Sequence, residues 1–127
     1  LHSIILYIMI DDELHADAYE KILQELRRGV LILAALSQLQ EEAHGYALIR
    51  RLAEDGLVID QGTLYPLLRR LESQGLLESH WNIAGARPRR YYVITPAGAK
   101  ILAALKDDWQ TLTAVMNRLF SSHHEDL

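Results

Sequence analysis

DQGTLYPLLRRLESQG, residues 60–75, decides how the rest of the chain is read. Leu64, Leu67, Leu68 and Leu71 recur at i, i+3, i+4 and i+7, the spacing of one buried helix face. Gly75 supplies the stop. The opening turn is small and polar, with Gln61, Gly62 and Thr63 followed by Tyr65. Glycine at a helix start costs stability unless something must come close to the backbone there. Arg69 and Arg70 follow on the polar side. Pro66 leaves the start open. With Asp60 as the cap, the proline falls in the second turn and forfeits a backbone bond. With a start nearer Gly62 or Thr63, it sits in the first turn, where it is tolerated.

Outward from this helix, Leu76–Trp81 and Arg89–Ile94 read as two strands rich in aliphatic and aromatic residues. NIAGARP between them supplies turn residues. Arg87, Arg89 and Arg90 cluster at the tip of the hairpin. On the other side, Tyr46–Asp55 reads as a helix with Leu48, Ile49 and Leu52 inward, Arg50 and Arg51 outward, and Gly56 as its stop. Residues 17–40 form a first helix through Ile22, Leu23, Leu26, Val30, Leu33 and Leu36. Gly29 in it implies close packing or a break. Glu41–Gly45 and Leu57–Ile59 are connectors. Thr95 and Pro96 open a last helix as cap and first residue. The fold class is mainly α with a small β-hairpin: a winged helix-turn-helix followed by a C-terminal helix. The expected divisions are 1–16 as an extension, 17–95, 96–120 and a tail at 121–127.

In that arrangement a recognition helix enters the major groove by its first turn. Gly62 allows close approach, Gln61 and Thr63 offer groups to base edges or phosphate, and Tyr65 offers a hydroxyl at phosphate range. Arg69 and Arg70 suit phosphate. Arg87, Arg89 and Arg90 can lie along the minor groove. Tip arginines taken alone are ordinary solvated groups; their place directly after this helix pattern is what raises the DNA reading. Double-stranded DNA is therefore the expected partner.

The net charge of −4 is distributed unevenly. Residues 44–100 hold eight Lys/Arg against five Asp/Glu, a balance of +3, and the remainder holds five against twelve, a balance of −7. Local field rather than total charge steers a protein to phosphate. Half the 127 residues are hydrophobic, enough for a core. Cysteine is absent, which excludes disulfides and thiolate metal sites. His123, His124, Glu125 and Asp126 carry metal-ligand side chains at the end of the chain, and no metal or other cofactor is expected of them. His44 suits capping or packing. No acid–base pair or nucleophile set marks a catalytic cleft, so an enzyme is not expected. A protein-interaction module of the same fold is the alternative function, favoured by the acidic total and opposed by the basic hairpin tip.

The run Ile4–Ile10 is too short to span a bilayer and lacks the flanks of a signal peptide, so no membrane association is expected. The chain opens on Leu1, and Met9 is a candidate translation start.

Leu102, Leu105, Trp109, Leu112, Met116 and Leu119 are spaced 3, 4, 3, 4, 3, a heptad seam. It can pack on the chain's own first helix, on a partner chain, or on both by different faces.

HGYALIRRL at 44–52, GTLYPLLRRLESQGLL at 62–77 and RPRRYYVITPAG at 87–98 resemble the PadR family of bacterial transcriptional regulators. The resemblance runs from about Arg28 to Met116. A single terminal helix is similar to the shorter branch of that family. What this implies is a cytoplasmic, homodimeric winged-helix repressor with the terminal helix as dimerisation element. The family's motif places Tyr46 on phosphate, puts Gln61, Gly62, Thr63 and Tyr65 at the recognition positions, and assigns the wing basics to Arg89 and Arg90, where many relatives have Lys in place of Arg90. Some members bind flat aromatic compounds at the dimer centre against a tryptophan, and Trp109 sits at the matching place. By chemistry alone, Trp109 in an apolar stripe is a packing residue. The segment before Asp11 has no counterpart in the family pattern.

Overall fold

The computed structural model describes residues 13–122, with backbone only at Leu14. Leu1–Ile8, Met9 and the His123–Asp126 group therefore lie outside the described residues. Four helices and three short strands follow in the order α1 (Glu13–Gln38), β1 (Ala43–His44), α2 (Gly45–Glu54), α3 (Gln61–Ser73), β2 (Leu77–Asn82), β3 (Arg89–Ile94) and α4 (Pro96–Ser122). The chain divides within α1 into two units, residues 1–32 and 33–127. The described part of the first is a helical run that leaves Ile22 and Leu26 exposed. Gly29 does not break it, and among the described residues a Cβ there would meet nothing within 4 Å. Among the described residues neither the expected close packing nor the expected break is found at Gly29. The helix also begins at Glu13 rather than 17, with an acidic residue in its first turn, which suits the helix dipole.

The second unit is built on leucine. Leu36 from α1, Leu39 in the turn that follows it, Leu48 from α2, Leu64, Leu68 and Leu71 from α3 and Leu77 from β2 are buried almost completely. Each contributes about 1.5–3 kcal/mol by leaving water. Leu67, expected in the same stripe, is only half-buried. Helices α2 and α3 end as their glycines require. Gly56 and Gly75 have φ of 95° and 78°, the left-handed region that glycine enters without steric cost.

The sheet is antiparallel with strand order β1-β3-β2. The hairpin register pairs Leu77 with Ile94, Ser79 with Tyr92, and Trp81 with Arg90. β1 adds a third strand where only a connector was expected, pairing Ala43 with Tyr92 and His44 with Tyr91. Two residues cannot show a period-2 pattern, so tertiary pairing alone reveals them as a strand. Helix α4 starts as expected. Thr95 Oγ1 accepts from the Gly98 amide at 3.0 Å, and Pro96 is the first helical residue. Gly98 lies so close to the Leu76 carbonyl that a Cβ would collide with its oxygen. None of the described helices is long and apolar enough to cross a membrane.

Candidate nucleic-acid interface

The start of α3 settles the proline alternative. Asp60 is the N-cap, with extended backbone, and its carboxylate accepts from the Thr63 amide at 2.7 Å. That bond holds the carboxyl below its ordinary pKa. Pro66 therefore lies in the second turn. It has no N–H for the carbonyl of Gly62, a residue open to water in the exposed first turn, which keeps the loss small. Gln61, Gly62 and Thr63 are exposed together, and Arg69 and Arg70 are exposed further along. A Cβ on Gly62 would meet only Asp60 Oδ1, at 3.6 Å. Nothing in the described fold requires glycine there.

Helix α2 sets the neighbouring surface. His44 caps it, with Nδ1 3.2 Å from the Ala47 amide. Gly45 carries a requirement that the sequence reading missed: the Tyr65 ring lies where its Cβ would be. This contact seats α3 on α2 and leaves Tyr65 half-buried, its ring on the glycine. Tyr46 is exposed, and the Arg50 guanidinium lies 5.6 Å from its ring centre. Arg51, expected outward, turns back instead. Its Nη1 donates to the Gln38 carbonyl at 2.8 Å and satisfies one of the open carbonyls at the end of α1.

The three wing arginines are not equivalent. Side chains alternate across a strand, so Arg89 and Arg90 leave β3 on opposite faces. Arg89 shares its face with His44 and Tyr91, and its Nη1 is 2.8 Å from His44 Nε2. Burial lowers the His44 pKa, and the charges of Arg89 and Arg50 lower it further. The neutral ring has one lone pair and two donors facing it. Arg87 and Arg89 line one concave surface of about 570 Å³ with Asn82 and Tyr91 at the hairpin tip. An Asx turn, Ala84 N–H to Asn82 Oδ1 at 2.9 Å, shapes the loop. Arg90 faces α3 instead, where Nε donates to Ser79 Oγ at 2.8 Å and Nη2 to Glu72 Oε1 at 3.1 Å. Nothing in the sequence marked Glu72 or Ser79 as its partners, because they meet only through the packing of hairpin on helix.

The α4 seam divides. Leu102 is buried in the core of its own unit and Leu105 is half-buried. Trp109 (48% exposed), Leu112 (60%), Met116 and Leu119 face water, joined by Phe120 (65%), which lies off the heptad spacing.

This geometry has known counterparts. Residues 32–104 match the model of the family described as "Transcriptional regulator PadR-like family". The chain belongs to the PadR-like family of transcriptional regulators. The PadR-like match spans the end of α1 through the first turns of α4, and stops short of Trp109. The chain is 40% identical over 91 residues to transcriptional regulator Rv3488 of Mycobacterium tuberculosis, covering 71% of this chain and 82% of that protein. A PadR family regulator from Eggerthella lenta has a crystal structure that superposes with a TM-score of 0.77 at 44% identity, over 86% of this chain and 97% of that one. A PadR-like transcription factor from Bacteroides fragilis follows with 0.67 and 33%, over 78% and 98%. The PadR-like assignment makes the chain a transcriptional regulator of a family that is not one of enzymes.

Proposed function

We propose that the chain is a homodimeric repressor that binds a palindromic operator in double-stranded DNA. The carrying observation is the division of α3. Its apolar stripe is buried, while Gln61, Gly62, Thr63, Arg69 and Arg70 stand in water on the same helix. In this reading the first turn of α3 enters the major groove, and Gln61 and Thr63 meet base edges. Tyr46, Tyr65, Arg69 and Arg70 meet phosphate, and Arg87 and Arg89 extend the contact along the wing. Arg90, which the sequence also places in the wing, faces α3 rather than this surface.

The exposed residues of α4 form the dimer seam, which starts at the half-buried Leu105; Leu102, expected in the seam, is used up inside its own unit. Stretches of exposed Trp, Leu, Met and Phe are unusual on a monomer. Trp109 at that seam is the platform proposed for a flat aromatic effector that releases the DNA. Two recognition helices would then read half-sites about 34–36 Å apart. Selection of bound duplexes from a random pool tests the reading. A palindromic consensus at that spacing is expected. A pool with no enriched sequence refutes it and leaves the protein-interaction alternative.

A further inference from the structure

We propose that Glu72, Ser79 and Arg90 form a positioning device that holds the wing at one angle to α3, and that Arg90 takes no phosphate itself. This rests on the DNA-binding reading above and corrects the role expected of Arg90 within it.

The three side chains close a ring. Ser79 Oγ donates its single proton to Glu72 Oε2 at 2.6 Å and accepts from Arg90 Nε at 2.8 Å. Arg90 Nη2 returns to the other carboxylate oxygen of Glu72 at 3.1 Å. Each member comes from a different element: the last turn of α3, β2 and β3. The ring therefore ties the proposed recognition helix to both strands of the wing. Opposite charges within it cancel, so Arg90 adds little net field for phosphate. Its guanidinium also lies 5.9 Å from the Trp81 ring centre and 5.8 Å from that of Tyr92, flanked on its own face of the sheet. Arg89 leaves on the opposite face, toward the concave tip that holds Arg87.

A planar guanidinium meeting a carboxylate and a hydroxyl at once admits one geometry, which an ammonium cannot reproduce. β1 pairs with β3 only at Tyr91 and Tyr92, so the hairpin beyond that pairing is two-stranded, and a two-stranded hairpin by itself is only marginally ordered. The ring supplies the order that a wing needs to present Arg87 and Arg89 to the duplex while α3 is in its groove.

The two roles for Arg90 give opposite results in one experiment. Wild type, Glu72→Gln, Arg90→Lys and Arg89→Ala are titrated against the selected operator by fluorescence anisotropy over a range of salt concentrations. If Arg90 positions the wing, Glu72→Gln and Arg90→Lys each weaken binding about tenfold, the cost of disrupting a charge-assisted bond. The log–log salt slope stays that of wild type, because no phosphate contact is lost. Arg89→Ala flattens the slope by about 0.9 per phosphate released. Hydrogen exchange separates positioning from folding: in Glu72→Gln the amides of residues 82–89 exchange faster while those of α3 keep their protection.

The proposal is overturned if Glu72→Gln binds more tightly with a steeper slope, as a freed Arg90 on phosphate would make it. Unchanged affinity in Glu72→Gln overturns it, as does full affinity in Arg90→Lys, a point charge sufficient for phosphate. If Glu72→Gln exposes α3 as well, Ser79→Ala carries the same test, since it breaks the ring and strands no charge. Wild type without salt-dependent binding would refute the DNA reading itself; wild-type binding with Arg89→Ala flattening the slope keeps that reading whatever Glu72→Gln does.

Discussion

Gly62→Ala separates what the fold needs from what the proposed DNA contact needs. Gly62 is the second residue of α3 and exposed. Among the described residues positive φ occurs only at Gly56 and Gly75, so Gly62 has ordinary helical backbone. The nearest atom to an added methyl is Asp60 Oδ1 at 3.6 Å, ordinary van der Waals contact. Alanine therefore fits the free protein and restricts the unfolded chain. It should stabilise by about 0.4–1 kcal/mol, raising the thermal midpoint by roughly 2–5 °C for a domain of this size. On DNA the sign reverses. If the backbone at Gly62 is pressed to the duplex, a methyl overpacks the contact at about 1–3 kcal/mol per recognition helix. Two helices in the proposed dimer lose about 2–6 kcal/mol, at least about 30-fold in affinity. Circular dichroism melts and anisotropy titrations on one preparation read both effects. A higher midpoint with unchanged affinity would refute the close approach. A lower midpoint would refute the account of the free helix.

Gly98→Ala should cost roughly 2–3 kcal/mol, because the added Cβ meets the Leu76 carbonyl oxygen, which is itself fixed by the Thr95 amide at 3.0 Å; urea unfolding measures it, and a loss under about 0.5 kcal/mol would show that α4 can shift. Leu112→Glu should leave the unfolding midpoint within about 0.5 kcal/mol of wild type, since the side chain is exposed, yet turn a dimer into a monomer in sedimentation equilibrium; a dimer that persists removes α4 as the seam. Stability should fall with acid in two limbs. His44 has a depressed folded pKa, so the unfolded chain binds the proton first and stability drops as pH falls below about 6.5 and through the folded value. Asp60 is also depressed, so its contribution, present above the unfolded carboxylate value, is lost lower down as pH passes through the folded value. His44→Asn should remove the upper limb and Asp60→Asn the lower, each retaining a cap acceptor; urea midpoints measured against pH check both, and limbs that survive the substitutions contradict the assignment.

The helices and the hairpin were legible because each has its own local cause. Leu64, Leu68 and Leu71 share a face at helical spacing, Gly56 and Gly75 stop two helices, and Thr95 with Pro96 starts another. His44 was legible as a capping residue for the same reason: a cap is an interaction over three residues. Other features depended on partners distant in sequence. Gly45 has no local reason to be glycine; the Tyr65 ring, from the next helix, supplies it. Arg51 has the spacing of an outward residue and is drawn back by a carbonyl of α1. Gly29 shows the converse, a residue with an expected structural role and, among the described residues, no neighbour to require it.

By itself the sequence determined the order of the four helices and the hairpin, the apolar stripe of α3, the basic middle of an acidic chain and the family to which the chain belongs. Hydrophobic period, caps and turn residues act over a few positions, so they can be read along the chain. Tertiary structure alone decided the third strand at Ala43–His44, the division of the α4 stripe into a buried start and an exposed remainder, and the different surroundings of Arg89 and Arg90. Two neighbouring arginines in one strand are alike in sequence. Pleating sends one to the outer face and the other to a carboxylate on α3, and only the packing of the hairpin on the helix places that carboxylate there.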